Sequence, residues 1–294
     1  MSPDASLLEI DANAFREGYD RGPFRIAHRL ADHPLFTLAR LVELGRRLPA
    51  DSVEYNAGDV PVGLDPAKTP HTGLSVEETI RRIETCRSWM VLKHVEQDPE
   101  FRDLLHRCLD EVRVHAEPLD PGMVEREGHV FVSSPGSVTP IHIDHEQNFL
   151  LQIRGTKTIR QWDRADRSVL AVEDLERIHD GGHRNIPYRD DFEAKARVFE
   201  LRPGDGLHFP VHAPHWVKNG PEVSISFSVT WKTPAVLREG ALWRINARLR
   251  RRGMHPSAPG AHPTRDAMKW FAYRTMSGLK HLVRPDTRHD DAGY

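Results

Sequence analysis

Thr139-Pro-Ile-His142-Ile-Asp144-His-Glu-Gln-Asn148-Phe, followed closely by Gln152-Ile-Arg-Gly155-Thr-Lys157, is the stretch on which the reading of this chain turns. Residues 140–144 and 147–153 have strand character, and Gly155 marks a turn into a third run over 156–162. In a strand, residues two apart project from the same face. The imidazole of His142 and the carboxylate of Asp144 are therefore expected to leave the backbone together and to offer adjacent ligands to one metal ion. Two histidines and one carboxylate make a facial set that leaves open positions for exogenous ligands. The third ligand has to come from a distant strand that closes over the same space. Gly204-Asp-Gly-Leu-His208-Phe-Pro210-Val-His212-Ala-Pro214-His215-Trp-Val supplies three candidates. His215 is preferred because it follows Pro214 and opens an apolar run that can return into a barrel. His212 falls in the turn between two strands, and His208 on the strand before it.

Lys157 lies fifteen residues beyond His142. A lysine facing a metal cavity is unfavourable unless it is paired. A dicarboxylate cosubstrate would supply the pair, with one end on the metal and the far carboxylate on the ammonium. Thr139 and Asn148 are placed to add hydrogen bonds to the same molecule. His145 is expected on the opposite face, in a structural role. A lone His-x-Asp pair is common on strand surfaces; its weight here comes from its combination with His215 and Lys157.

Working outward, eight runs have strand character: 129–133, 140–144, 147–153, 156–162, 197–202, 206–210, 214–218 and 223–231. They are separated by Pro135-Gly136, Gly155, Pro203-Gly204 and Asn219-Gly220. Many short strands at regular turn spacing predict an antiparallel sandwich or barrel. The polar segment 164–195 reads as an insertion between its halves. Residues 1–117 read as mainly helical. Leu35, Leu38, Leu41, Val42 and Leu48 recur at helical spacing, Ser75-Val-Glu-Glu78 is a capping box, and Asp98-Pro99 opens a further helix, with Trp89–Leu92 a short strand between them. Residues 235–294 turn helical again and basic, with eleven Lys/Arg against Glu239 and Asp266 from Arg238 to Arg284. The expected organisation is an α+β chain. A helical region over 1–117 flanks a barrel over 118–234, and a basic helical region covers 235–294.

Composition narrows the classes further. A chain of 294 residues with 38% hydrophobic and 29% charged residues can bury a sizeable core, and a formal net charge of −2 gives no overall pull toward nucleic acid or acidic lipid. Two cysteines, Cys86 and Cys108, fit a reducing compartment rather than a disulfide framework. The first residues, MSPDASLLEIDANAF, do not read as a targeting segment, and no run has the length of a membrane span. The expectation is a cytoplasmic protein.

The quoted residues resemble the JmjC-type, cupin-like iron(II)/2-oxoglutarate-dependent oxygenases, and among them the asparaginyl hydroxylase that acts on hypoxia-inducible factor. The shared pattern is T-x-x-H-x-D, an asparagine six residues after the first histidine, G-x-K after the turn, and G-D-x-L-x-x-P with a histidine five residues after the proline. The resemblance covers residues 120–232 and implies a double-stranded β-helix (jelly-roll) core with flanking N- and C-terminal helices. It implies iron(II) on His142, Asp144 and His215. It implies 2-oxoglutarate as cosubstrate on Lys157, Thr139 and Asn148, and O2 as co-reactant. The implied reaction is hydroxylation of a protein side chain or a small molecule. On the closing strand, Ser224 to Trp231, the chain departs from the family: Val229 or Thr230 stands where an asparagine is expected. In similar oxygenases the C-terminal helices often form a homodimer, which ranks here ahead of nucleic-acid binding by the basic helices. Two other classes stay open. One is a metal-dependent cupin enzyme without 2-oxoglutarate, for which Lys157 has no task. The other is a non-catalytic binding module that has kept the barrel.

Overall fold

A computed structural model describes residues 5–64 and 73–283, with side chains to residue 275. The strands are β1 (Leu8–Glu9), β2 (Arg25–His28), β3 (Val53–Ala57), β4 (Ser88–Leu92), β5 (Val124–Ser133), β6 (Val138–His142), β7 (Gln147–Arg154), β8 (Lys157–Gln161), β9 (Arg197–Leu201), β10 (Asp205–Phe209), β11 (His215–Asn219) and β12 (Ser224–Lys232). The helices are α1 (Ala12–Gly18), α2 (Leu38–Arg47), α3 (Val76–Arg81), α4 (Pro99–Ala116), α5 (Val172–His179), α6 (Pro234–Arg250) and α7 (Pro263–Val283).

The strands form two antiparallel sheets, of eight in the order β1-β2-β10-β7-β12-β5-β4-β3 and of four in the order β6-β11-β8-β9. From β5 onward the chain alternates between them, save that β8 and β9 pair within the four-stranded sheet, which is the double-stranded β-helix expected from the sequence; β1–β4 extend its larger sheet at both edges. The turn from β7 to β8 depends on Gly155 at φ +68, where a Cβ would stand 2.5 Å from the Val223 carbonyl oxygen. Local signals hold the helices as expected. Ser75 and Glu78 make the reciprocal capping box of α3, and Asp98 caps α4 by accepting from the backbone N–H groups of Glu100 and Phe101.

Alternation along the strands sorts side chains into distinct layers. On β12, Ile225, Phe227, Val229 and Trp231 point away from the barrel into the main core, against Phe101, Leu105 and Leu109 of α4. Between them, Ser226 and Ser228 point into the barrel and donate to Gln152 Oε1 at 2.6 Å and Asn148 Oδ1 at 2.7 Å. A second core covers the outer face of the four-stranded sheet. Ile141 and Trp216 pack there with Val169, Leu170, Leu175, Ile178, Ile186 and Phe192 from the segment between β8 and β9, and with Trp243 of α6. That segment, polar in composition, is thus folded against the barrel. A third, smaller cluster (Leu150, Ile159, Leu201, Leu207, Phe209 and Val217) fills the space between the sheets. No helix among the described residues is long and apolar enough to cross a membrane, and both cysteines are free.

Candidate metal centre

His142 ends β6, His215 begins β11, and the two face each other in the register of these strands, with ring centroids 4.2 Å apart. Strand pairing therefore brings together two imidazoles separated by more than seventy positions of chain. Asp144 arrives differently. The strand stops at His142, so strand alternation does not place the carboxylate; the loop after β6 does. That loop is pinned by the His212 N–H donating to the Asp144 carbonyl at 3.0 Å and by the Ile143 N–H donating to the Arg184 carbonyl at 3.2 Å. Asp144 Oδ1 lies 3.9 Å from His142 Nε2, and Oδ2 lies 3.8 Å from His215 Nε2. The three ligating atoms all fall within 4.8 Å of one another, and all three residues are buried.

Backbone carbonyls set the tautomers. His142 Nδ1 donates to the Pro140 carbonyl at 2.8 Å, and His215 Nδ1 donates to the Ala213 carbonyl at 2.9 Å. A carbonyl only accepts, so each proton sits on Nδ1 and each Nε2 presents a lone pair to the centre. Burial, reinforced by His215, holds His142 well below the usual imidazole range, so its ring is neutral. The carboxylate is oriented by a relay from the closing strand: Ser228 Oγ donates to Asn148 Oδ1, and Asn148 Nδ2 donates to Asp144 Oδ2 at 3.1 Å. Asp144 Oδ1 is buried and accepts no hydrogen bond. Burial pushes the Asp144 carboxyl above its usual range. Two Nε2 lone pairs and an Oδ1 that accepts no hydrogen bond converge here, an arrangement that is unfavourable in a dry site unless a cation completes it.

Lys157 is 5% exposed. Its ammonium forms no ion pair among the described residues and sits 5.6 Å from the centre of the Phe131 ring. Burial pulls its pKa down to about 7. It shares an inward row of β8 with Ile159 and Gln161, and Gln161 is the register partner of His215. Four residues of strand, about 13 Å, separate the two levels, a gap that a lysine side chain and a five-carbon diacid together bridge. Thr139 is half-buried opposite Val217, on the neighbouring strand β11. Asn148 is brought into contact with the ligand carboxylate itself.

The other histidines take different places. His208 turns away from the barrel into the main core, stacked on Phe24 at 4.6 Å and hydrogen-bonded to Gln147 Oε1. His212, in the turn before β11, adopts φ +63 and is buried. Its Nε2 lies 2.8 Å from His179 Nε2 of α5, and its Nδ1 lies 3.6 Å from Glu239 of α6. His145 stacks on His179 at 4.5 Å.

Sequence reasoning missed Glu146, Arg184, His179 and Ser228. Arg184 is 4% exposed, donates to Glu146 Oε1 at 2.8 Å and stands 3.5 Å from Asp144 Oδ1. Burial pushes the Glu146 carboxyl up, but Arg184 and Lys232 outweigh it and bring it to about 2. Glu146 sits inside the His142–Asn148 motif and could have been singled out; Arg184 lies in a stretch with no periodicity to mark it.

Comparisons with known proteins agree with this geometry. A family model described as the JmjC domain matches residues 119–238. Lysine-specific demethylase 8 from Danio rerio is 32% identical over 102 residues, covering 33% of this chain and 24% of that protein. The same-named protein from Xenopus tropicalis is 32% identical over 102 residues and is covered to 22%. The chain thus spans about a quarter of the length of these curated relatives. Among solved structures, the ribosomal oxygenase YcfD from Escherichia coli, in complex with cobalt and 2-oxoglutarate, superposes with a TM-score of 0.51 at 17% identity, over 95% of this chain and 68% of that one. A second structure of E. coli YcfD gives a TM-score of 0.50 at 18% identity. At these identities the likeness to YcfD is one of fold. Strand order, the buried His-Asp-His grouping and the family match together liken residues 119–238 of this chain to a JmjC domain.

Proposed function

We propose that this protein is an iron(II)- and 2-oxoglutarate-dependent oxygenase that hydroxylates a protein side chain, with His142, Asp144 and His215 as the iron ligands. The observation that carries the reading is the convergence of two Nε2 lone pairs and a carboxylate oxygen that accepts no hydrogen bond, in the same barrel as a buried lysine that has no acidic partner among the described residues. The cobalt and 2-oxoglutarate held by E. coli YcfD, a protein of the same fold, support it.

When bound, iron with 2-oxoglutarate and O2 supplies the oxidising power for C–H hydroxylation, with succinate and carbon dioxide as by-products. The chain supplies position and dryness. The Pro140 and Ala213 carbonyls hold the Nδ1 protons and so turn the Nε2 lone pairs toward the centre. Ser228 and Asn148 orient Asp144. Lys157 takes the far carboxylate of 2-oxoglutarate, with Thr139 beside it, and Asn148 is proposed to contact the same molecule with the rest of its amide. Leu150, Leu207 and Val217 exclude water from the space between the sheets. The reaction is placed in the cytoplasm. The exposed Met268 and Phe271 of α7, at 69% and 71%, are read as part of a face through which two copies pair, ahead of any contact with nucleic acid. Sedimentation of the intact chain as a monomer at micromolar concentration would remove that pairing.

The decisive experiment is anaerobic addition of iron(II) and 2-oxoglutarate. The visible charge-transfer band of an iron-chelated keto acid is expected in the wild type and not in His142→Ala. A folded, iron-loaded wild type without the band leaves the metal-only cupin enzyme as the reading. Succinate release screened against candidate proteins, RNAs and metabolites then identifies the substrate class.

A further inference from the structure

We propose that Glu146 and Arg184 are positioning residues that act as a pair: Glu146 holds a guanidinium that would otherwise close on Asp144, and so keeps Asp144 available to the metal. The inference rests on the metal reading above.

Arg184 is delivered by the segment between β8 and β9, which runs beside β6. Ile143 N–H donates to the Arg184 carbonyl and Ile186 N–H donates to the Ile141 carbonyl, both at 3.2 Å, and His142 bridges Asn185. The backbone of Arg184 is thereby fixed alongside a metal ligand, and only its side chain can choose between anions. Among the described residues, two carboxylates are within reach. Nη1 makes a full charge-assisted hydrogen bond to Glu146 at 2.8 Å and stops 3.5 Å from Asp144 Oδ1. Glu146 is 3% exposed and Asp144 2% exposed, so water does little to screen either attraction. The oxygen approached by Arg184 is the one without a hydrogen bond.

A guanidinium and a divalent cation therefore compete for the same oxygen. Arginine–carboxylate pairing is strong in a dry site, and a shift of under an ångström would complete it. Glu146 decides the contest in the metal's favour in two ways: it engages Nη1, and its charge leaves the two carboxylates and one guanidinium net negative. With Glu146 neutral, Asp144 becomes the strongest anion facing Arg184, and the pocket loses its net attraction for a cation.

The test is calorimetric titration of the full chain with cobalt(II) as probe, alongside melting temperatures. Glu146→Gln is expected to weaken cobalt binding about tenfold. Arg184→Met is expected to bind at least as tightly as the wild type, and the double variant to recover wild-type affinity. A purely structural pair predicts the opposite pattern: both single variants weaken binding and the double variant does not recover. Wild-type affinity in Glu146→Gln, or weakened affinity in Arg184→Met, overturns the proposal. If Glu146→Gln does not fold, Arg184→Met and the double variant carry the test with the same signs. Equal cobalt binding by wild type and His142→Ala would instead sink the metal centre itself, a distinct result.

Discussion

The two faces of the eight-stranded sheet are made from alternate residues of the same strands and are equally shut off from bulk water, yet they do opposite work. Phe227 and Val229 face the helices at 0% exposure, and Ser226 and Ser228 face the barrel at 0%. Outside, large apolar groups meet large apolar groups. Inside, hydroxyls and amides are arranged around groups that lack a full counterpart among the described residues: a lysine with no acidic partner and a carboxylate oxygen that accepts no hydrogen bond. Burial alone does not separate core from site. What separates them is whether the buried groups satisfy one another, and the strand pleat keeps the two kinds of surface one residue apart.

The comparison breaks first at its extremes. Asp144→Ala is expected to abolish 2-oxoglutarate-coupled succinate release while leaving the melting temperature close to or above that of the wild type, because it deletes a buried carboxylate of which one oxygen accepts no hydrogen bond. Phe227→Ala is expected to cost about 3–5 kcal/mol of stability and to lower the melting temperature, with metal affinity retained at temperatures where the protein is folded. If the first variant melts early or the second loses metal while folded, the two faces are not separate in function.

A sharper case is Lys157, which carries a charge into the inner face. Its pKa is pulled down to about 7 by burial. The unfolded chain then binds more protons between about pH 7 and the ordinary lysine pKa of 10.5, so this residue's contribution makes the fold more stable as pH rises through that window. Lys157→Met removes the penalty, and its stabilisation should be greatest below pH 7. The same variant should bind 2-oxoglutarate far more weakly without losing metal. In the wild type, 2-oxoglutarate affinity should decline as pH climbs above about 7, approaching about tenfold per unit. Calorimetry at pH 6.5 and 8.5 reads both signs, and a flat profile removes the assigned role. Smallest is Ser228→Ala, which withdraws one buried hydrogen bond from Asn148 at a cost of about 1 kcal/mol; metal affinity should slip a few-fold, and no slip would mean that Asn148 needs no second tether.

Much of this arrangement was legible before any coordinates. All eight barrel strands were anticipated because turn residues such as Gly155 and Pro203-Gly204 punctuate them, and the helices at 75 and 98 because their caps are local chemistry. The run expected over 140–144 is observed as Val138–His142, which moves Asp144 off the strand. Asp144 does lie close to His142, but the route is a pinned loop rather than the pleat. Strands β1 and β2 were not foreseen, since Leu8–Glu9 and Arg25–His28 are too short to show a period and exist by pairing with the edge at β10. Arg184 and His179 escaped for the same reason: their partners lie 33 or more positions away in sequence, and nothing in their immediate neighbours announces them.

The bridge between His142 and Asn185 has one further consequence. The strand that ends at His142 is one of the two edge strands of the four-stranded sheet, and edge strands offer unpaired amides that recruit other polypeptides into fibrils. By lying along that border, the stretch around Asn185 acts as a guard against self-association as well as a carrier of the guanidinium. A trimmed version of the insertion would therefore leave a sticky border beside His142 and the candidate metal centre, and solubility would suffer together with chemistry.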